Sequence, residues 1–189
     1  NNSAYSTKDN VFGLRIENST NATINANTIN ANNIPYVQNV IILDKSKGVN
    51  IAGNTLTGAK KHGINLTSSS ASISANTISG NKENGIFCYK NSTMTTNKNR
   101  ITGNKKHGIF VNECKGKSKI NRDTIQSNKQ CGIAVQKGNN VTINSAKISK
   151  SGKNGIYIFK KSKATINKCT VSNNKKDGIY STLSSTTNI

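Results

Sequence analysis

The sequence has one proline, no tryptophan and only seven acidic residues among 189. No apolar run approaches the roughly 20 residues that a membrane-spanning helix needs, which excludes insertion of that kind. Residues 1–10 show none of the charged-then-apolar pattern of a signal peptide, so any export signal is expected upstream of this chain. The four cysteines, Cys88, Cys114, Cys131 and Cys169, have no metal-ligand spacing and fall at four different places in the repeat described below. Neither a zinc site nor a disulfide framework is therefore expected, and Cys88 and Cys169 read as buried free thiols. No cofactor is implied.

What is abundant is asparagine, about one residue in six, together with 15 glycines and 27 Lys and Arg that give a formal charge of +20. A hydrophobic content of 32% is enough for a folded core, and the length leaves room for one domain. The charge favours an acidic partner such as a uronic-acid polysaccharide, teichoic acid, phospholipid or nucleic acid, without choosing among them.

The excess of Asn and Gly comes from repetition. Gly followed by an aliphatic residue recurs at Gly13, Gly63, Gly85, Gly108, Gly132, Gly155 and Gly178, spaced by 22 to 24 after a first gap of 50. Asn39-Val40 fills that gap, which puts Ile42 in the row of Ile16, Leu66, Cys88, Val111, Val135 and Ile158. A second anchor runs through Asn27-Thr28-Ile29, Asn54-Thr55-Leu56, Asn76-Thr77-Ile78, Asn99-Arg100-Ile101 and Asp123-Thr124-Ile125, continuing at Ala146 and Cys169. Three residues before it stands an apolar position (Ile24, Ile51, Ile73, Ile120, Ile143, Ile166), with Thr96 as the exception. Each unit thus carries three short segments of period two and no helical stripe, which predicts a solenoid of parallel strands. Coils stacked at about 4.8 Å would make seven of them a rod of roughly 35 Å.

The run Asn76-Thr77-Ile78-Ser79-Gly80-Asn81 leading to Gly85-Ile86 resembles the repeat of the pectate-lyase-like right-handed β-helix superfamily, in the class shared by carbohydrate-binding and sugar-hydrolase β-helices. The resemblance extends from about Gly13 to Ile179. It implies an all-β, right-handed parallel β-helix of about seven to eight coils of 22–26 residues, three strands to a coil. The chain reads as a single domain, residues 1–189, and as part of a longer protein: 1–12 as the end of a preceding coil and 183–189 as the start of a further one. Function does not follow from this fold, which hosts lyases, hydrolases, epimerases and non-enzymatic adhesins.

If the aliphatic residue after each Gly points inward, the asparagine ladder Asn27, Asn54, Asn76, Asn99 and a second row, Asn81, Asn104, Asn128, Ser151 and Asn174, are scaffolding that satisfies turn backbone. The outward positions two after the Gly hold Arg15, Ile41, Asn65, Phe87, Phe110, Ala134, Tyr157 and Tyr180; those four after it include Leu43, Tyr89 and Phe159. An exposed, discontinuous strip of Phe87, Tyr89, Phe110, Tyr157, Phe159 and Tyr180 is therefore expected, bordered by Lys90, Lys137, Lys160 and Lys161 after the strand and by further lysines before it. Rings flanked by ammonium groups suit an anionic polysaccharide. The competing explanation is that rings on adjacent coils pair with each other, or that another part of the parent chain covers them.

Polygalacturonases of the resembled superfamily need clustered Asp, and pectate lyases need acidic calcium ligands with a basic proton acceptor. Here the acids are scattered one to a coil; the nearest approach to a pair is Glu17 with Asp44. The Asp-Pro-His-Asp pattern of mannuronan epimerases is absent. His62 and His107 share a repeat position and read as surface turn residues. The expectation is a non-catalytic segment of an extracellular or cell-surface protein that binds acidic polysaccharide or a cell-wall polymer. The alternatives are part of a polysaccharide lyase, glycoside hydrolase or epimerase whose catalytic residues lie elsewhere, or an adhesin stalk. Nucleic acid is disfavoured as a partner, because no recognised module accompanies the charge.

Overall fold

The computed structural model describes residues 11–32, 34, 36–114, 116–137, 140–182 and 184–189, and the side chains from residue 13 onward. The expected end of a preceding coil therefore lies largely outside the described residues. Twenty-three strands form three parallel sheets of eight, eight and seven strands, and successive coils of the chain are neighbours in each. This is a parallel β-helix of seven full coils, with two strands of an eighth. Among the described residues no helix is long and apolar enough to cross a membrane.

Each coil places one strand in each sheet. In the fourth coil these are Ile86–Tyr89, Thr93–Asn97 and Arg100–Thr102, with alternating burial in all three. Alternation means that every strand gives one side to the core and the other to solvent. Because the pairing is parallel and in register, like stacks on like: Ile64, Ile86, Ile109, Ile133 and Ile156 form one buried column. Leu56, Ile78, Ile101, Ile125 and Ile148 form another. Together such columns make one continuous core from Ile24 to Ile166.

The sharp corners rest on two devices. A single residue with positive φ precedes each member of the first polar ladder: Ala26, Gly53, Ala75, Lys98, Arg122, Ser145 and Lys168. Left-handed backbone turns the chain there in one step. The ladder residue then ties coils together: the Asn54 backbone N–H donates to Asn76 Oδ1 at 2.8 Å, and Asn76 Nδ2 donates to the Ile51 carbonyl at 2.9 Å. Asn81, Asn104 and Asn128 do the same at the next corner. Both ladders are buried except at their ends, where Asn27, Cys169 and Asn174 are half-buried.

The repeated Gly answers a packing demand. A Cβ at Gly108 would stand 2.5 Å from Ile125 Cγ2 and 2.7 Å from the Gly132 carbonyl oxygen, and Gly63, Gly85, Gly132 and Gly155 are equally hemmed in. In the second coil the place is taken by Val40, not by Asn39: Ile41 pairs with Ile64 and Leu43 with Leu66. The spacing rule is thus one residue off there, and the first coil spans 27 residues where 26 is the upper expectation. Ile41 and Leu43, expected outside, are fully buried, and Ile42 takes the outward place beside Asn65. The extra length is absorbed between residues 31 and 40, where Ala31, Ile34 and Val37 form a small satellite core.

Candidate functional site

The outward side of the first sheet carries the six rings singled out by sequence. Phe87, Tyr89, Phe110, Tyr157 and Phe159 are half-buried, and Tyr180 is 44% exposed. They fall into two separate ladders. Phe87 stacks on Phe110 at 5.3 Å and on Tyr89 at 5.3 Å; Tyr157 stacks on Phe159 at 4.3 Å and on Tyr180 at 5.5 Å. Between the two ladders comes Ala134, which pairs with Phe110 on one side and Tyr157 on the other and is fully buried. Rings therefore pair both along a strand and between adjacent coils, so part of each ring face is already used.

Lysines border both sides. After the strand, Lys90, Lys137, Lys160 and Lys161 adopt left-handed backbone that turns the chain away from the sheet. Lys137 is paired with Glu113, and Lys160 Nζ lies 5.8 Å from the Phe159 ring centre. On the other border the surface is concave. A hollow of about 560 Å³ lies among His107, Lys153, Tyr157, Lys176 and Tyr180, and one of about 290 Å³ among His62, Glu83, Phe87, Lys106 and Phe110. Both share His107 and Gln130, so they make consecutive parts of one groove along the rod. The four lysines chosen from sequence are on the opposite border; the groove uses Lys106, Lys153 and Lys176.

His62 and His107 are not the surface turn residues expected. His62 is 6% exposed, and both belong to a third ladder. His62 Nδ1 accepts the Asn84 backbone N–H at 3.3 Å, and His107 Nδ1 accepts that of Cys131 at 3.2 Å. An accepting Nδ1 places the ring proton on Nε2 and holds the imidazole neutral. Burial pushes both histidines down to about 4, despite the Glu83 carboxylate 3.6 Å from His62 Nε2. Glu83 is itself paired with Lys106 at 3.0 Å.

Among the described residues the acids do not assemble a general acid and base. Glu17 and Asp44 are register partners, but Arg15 stands with both, at 3.0 and 3.6 Å. Its hydrogen bond holds the exposed Glu17 carboxyl below the usual carboxylate range. Asp123 continues the buried Asn ladder and receives the Asn99 backbone N–H at 2.7 Å. Its Oδ2 accepts the hydroxyl of Thr96, the residue that breaks the apolar row. Among the described residues no three His, Cys, Asp or Glu are grouped to hold a metal ion. Sequence reasoning also missed the juxtaposition of two thiols: Cys88 Sγ and Cys114 Sγ are 3.2 Å apart in the core. A usable signal was present, since Cys114 stands where the repeat otherwise has Ser69 and Ser92.

No curated protein matches the sequence. Among solved structures, four of the periplasmic alginate epimerase AlgG superpose with TM-scores of 0.69 to 0.76 at 17–18% identity, over 93–94% of this chain and 47–48% of theirs. The A-module of the Azotobacter vinelandii mannuronan C-5 epimerase AlgE4 superposes with a TM-score of 0.66 at 11% identity, over 90% of this chain and 56% of that one. The chain thus spans about half the length of these structures, and identities this low speak for the fold alone. The family described as the right-handed beta helix region matches residues 1–122 and 73–189, which between them span the sequence. By that match and by its three in-register parallel sheets, the chain belongs to the right-handed β-helix family.

Proposed function

We propose that this β-helix binds an acidic polysaccharide along the groove beside its first sheet, without itself catalysing a reaction on it. The observation that carries this reading is the placement of Lys106, Lys153 and Lys176 along the wall of a groove whose other side is Phe87, Phe110, Tyr157 and Tyr180. An extended polymer suits a groove that follows a rod, and the coil repeat of about 4.8 Å offers equivalent contacts at regular steps. Carboxylates of a polyuronate would meet ammonium groups, while sugar C–H surfaces lie against ring edges and tyrosine hydroxyls donate. The neutral Nε2–H group of His107 adds a fixed donor. Phe87, Tyr89, Phe110, Tyr157, Phe159 and Tyr180, with Lys90, Lys137, Lys160 and Lys161 on the outer border, complete the proposed face. That AlgG and AlgE4 are epimerases of alginate and mannuronan is in keeping with a uronic-acid polymer. Such polymers place the protein outside the cytoplasm, at the cell surface or beyond.

Affinity gels of alginate, polygalacturonate and a neutral glucan test this. Retention by the acidic gels is expected, weakening as salt rises, with at least a tenfold loss of affinity for Tyr157→Ala/Tyr180→Ala and for Lys153→Ala/Lys176→Ala. Retention indifferent to the ring substitutions would reduce the face to a basic surface and defeat the reading.

A second reading, part of an epimerase or lyase with catalytic residues outside this chain, draws on the half-length superposition with AlgG. It predicts turnover only when further coils are present.

A further inference from the structure

Two separate departures from the repeat meet at one point in the core. Cys88 is the inward residue of the strand Ile86–Tyr89, in the column of Leu66 and Val111, and is fully buried. Cys114 follows the strand Ile109–Asn112 one coil later, in a row that the three preceding coils fill with Ser46, Ser69 and Ser92. In that row the backbone N–H of Ser46 donates to Ser69 Oγ at 3.0 Å and that of Ser69 to Ser92 Oγ at 3.1 Å. Cys114 Sγ takes the next place, accepting from the Ser92 backbone. The two sulfurs come within 3.2 Å, the chain between them closing a loop of one coil, a separation of 26. Bringing them to the roughly 2.05 Å of a disulfide requires about 1 Å of movement by two side chains on adjacent coils.

We propose that Cys88 and Cys114 form an oxidation site that closes to a disulfide between the fourth and fifth coils, with a small-molecule disulfide as the oxidant. The Cys114 thiolate attacks the reagent's S–S bond, giving a mixed disulfide and releasing one thiolate. The Cys88 sulfur, after losing its proton, then attacks the protein-bound sulfur and releases the second. The protein loses two electrons and two protons, and the reagent becomes two thiols. The roles follow from the surroundings: the hydrogen bond from Cys88, aided by the Ser92 N–H, holds the Cys114 thiol below its ordinary range, while the same bond and burial push Cys88 up. The bond would lie directly beneath the ladder of Phe87, Tyr89 and Phe110 and fix the spacing of two coils under it. This inference is independent of the ligand proposed above.

The test is a thiol count in denaturant after the full chain meets oxidised glutathione, in one arm as folded protein and in another during refolding. Four thiols falling to two, a peptide map that joins the Cys88 and Cys114 peptides, and a melting temperature about 5 °C or more above that of the reduced chain are expected. A Cys131→Ser/Cys169→Ser variant keeps the pair and should fall to no titratable thiols. Closure in either arm supports the site; four thiols surviving in both arms, or a bond mapped to Cys131 or Cys169, would overturn it.

Discussion

Asp123 shows how one residue in a repeat changes its neighbours. In a ladder of neutral asparagines it brings a carboxyl group that burial pushes up to about 6, against the hydrogen bonds from Thr96 and Asn99. Because the folded value lies above the ordinary 3.8, the fold holds this proton more tightly than the unfolded chain. Its contribution is therefore fully present below about pH 4 and is lost as pH rises through 6. Asp123→Asn should stabilise the protein at pH 7 by about 2 kcal/mol and have little effect at pH 4, as urea melts at both values would report. His62 has the opposite sign, since its folded value lies below the ordinary 6.5: it favours the fold above that pH and withdraws support as pH falls towards 4. Asparagine already occupies this row at Asn84 and offers the same acceptor. His62→Asn should accordingly flatten the loss of stability between pH 6.5 and 4 while leaving stability at pH 8 within about 1 kcal/mol. Neither effect was legible beforehand: Thr96 and Asp123 were visible as separate irregularities, but only stacking one coil above the other makes them a pair.

At the scale of the element, the corner is the unit. Gly58, Gly80 and Gly103 turn the chain at positive φ before Ala59, Asn81 and Asn104, whereas Ser127, Lys150 and Asn173 do so in later coils. A side chain at that backbone is strained, so Lys150→Gly should raise stability by about 0.5–1 kcal/mol in a chemical melt, the opposite of what glycine does within a strand. Gly108→Ala puts a Cβ against backbone and a buried isoleucine at the other kind of glycine and should cost about 1–3 kcal/mol. Anchors of this sort made the fold readable, because a stack that accepts only hydrogen at one position writes that position into each coil. The reading slipped where the anchor was absent. At Val40 no glycine marks the corner, and counting from Asn39 exchanged inside for outside across a whole strand, as a shift of one must when the period is two. Alternation along the strand is readable from spacing, but the pairing of the rings into ladders, which leaves five of them half-buried, depends on ring orientation, which no spacing encodes.

For the whole molecule, a charge of +20 on a rod of 189 residues works against its own compactness. Lysines recur at the same corners in successive coils, about one strand spacing apart, so their repulsion is local and screenable. Raising sodium chloride from about 20 to 300 mM should increase the melting temperature of the free protein while weakening its hold on an acidic polymer. Opposite responses in one titration would separate self-repulsion from ligand attraction. Stability in such a stack is a sum of coil and neighbour terms, so a melt followed by several probes should show partial opening before complete loss of structure.

The small side chain of Ala134 makes the rod a sequence of exchangeable slices with one blank among them. Ile109, Ile133 and Ile156 occupy the same point of three successive coils, so excision of residues 133–155 joins Gly132 to Ile156 without disturbing register. Phe110 would then meet Tyr157 directly, and Phe87, Phe110, Tyr157 and Tyr180 would become one column of four rings with Tyr89 and Phe159 stacked beside it, the rod being shorter by about 4.8 Å.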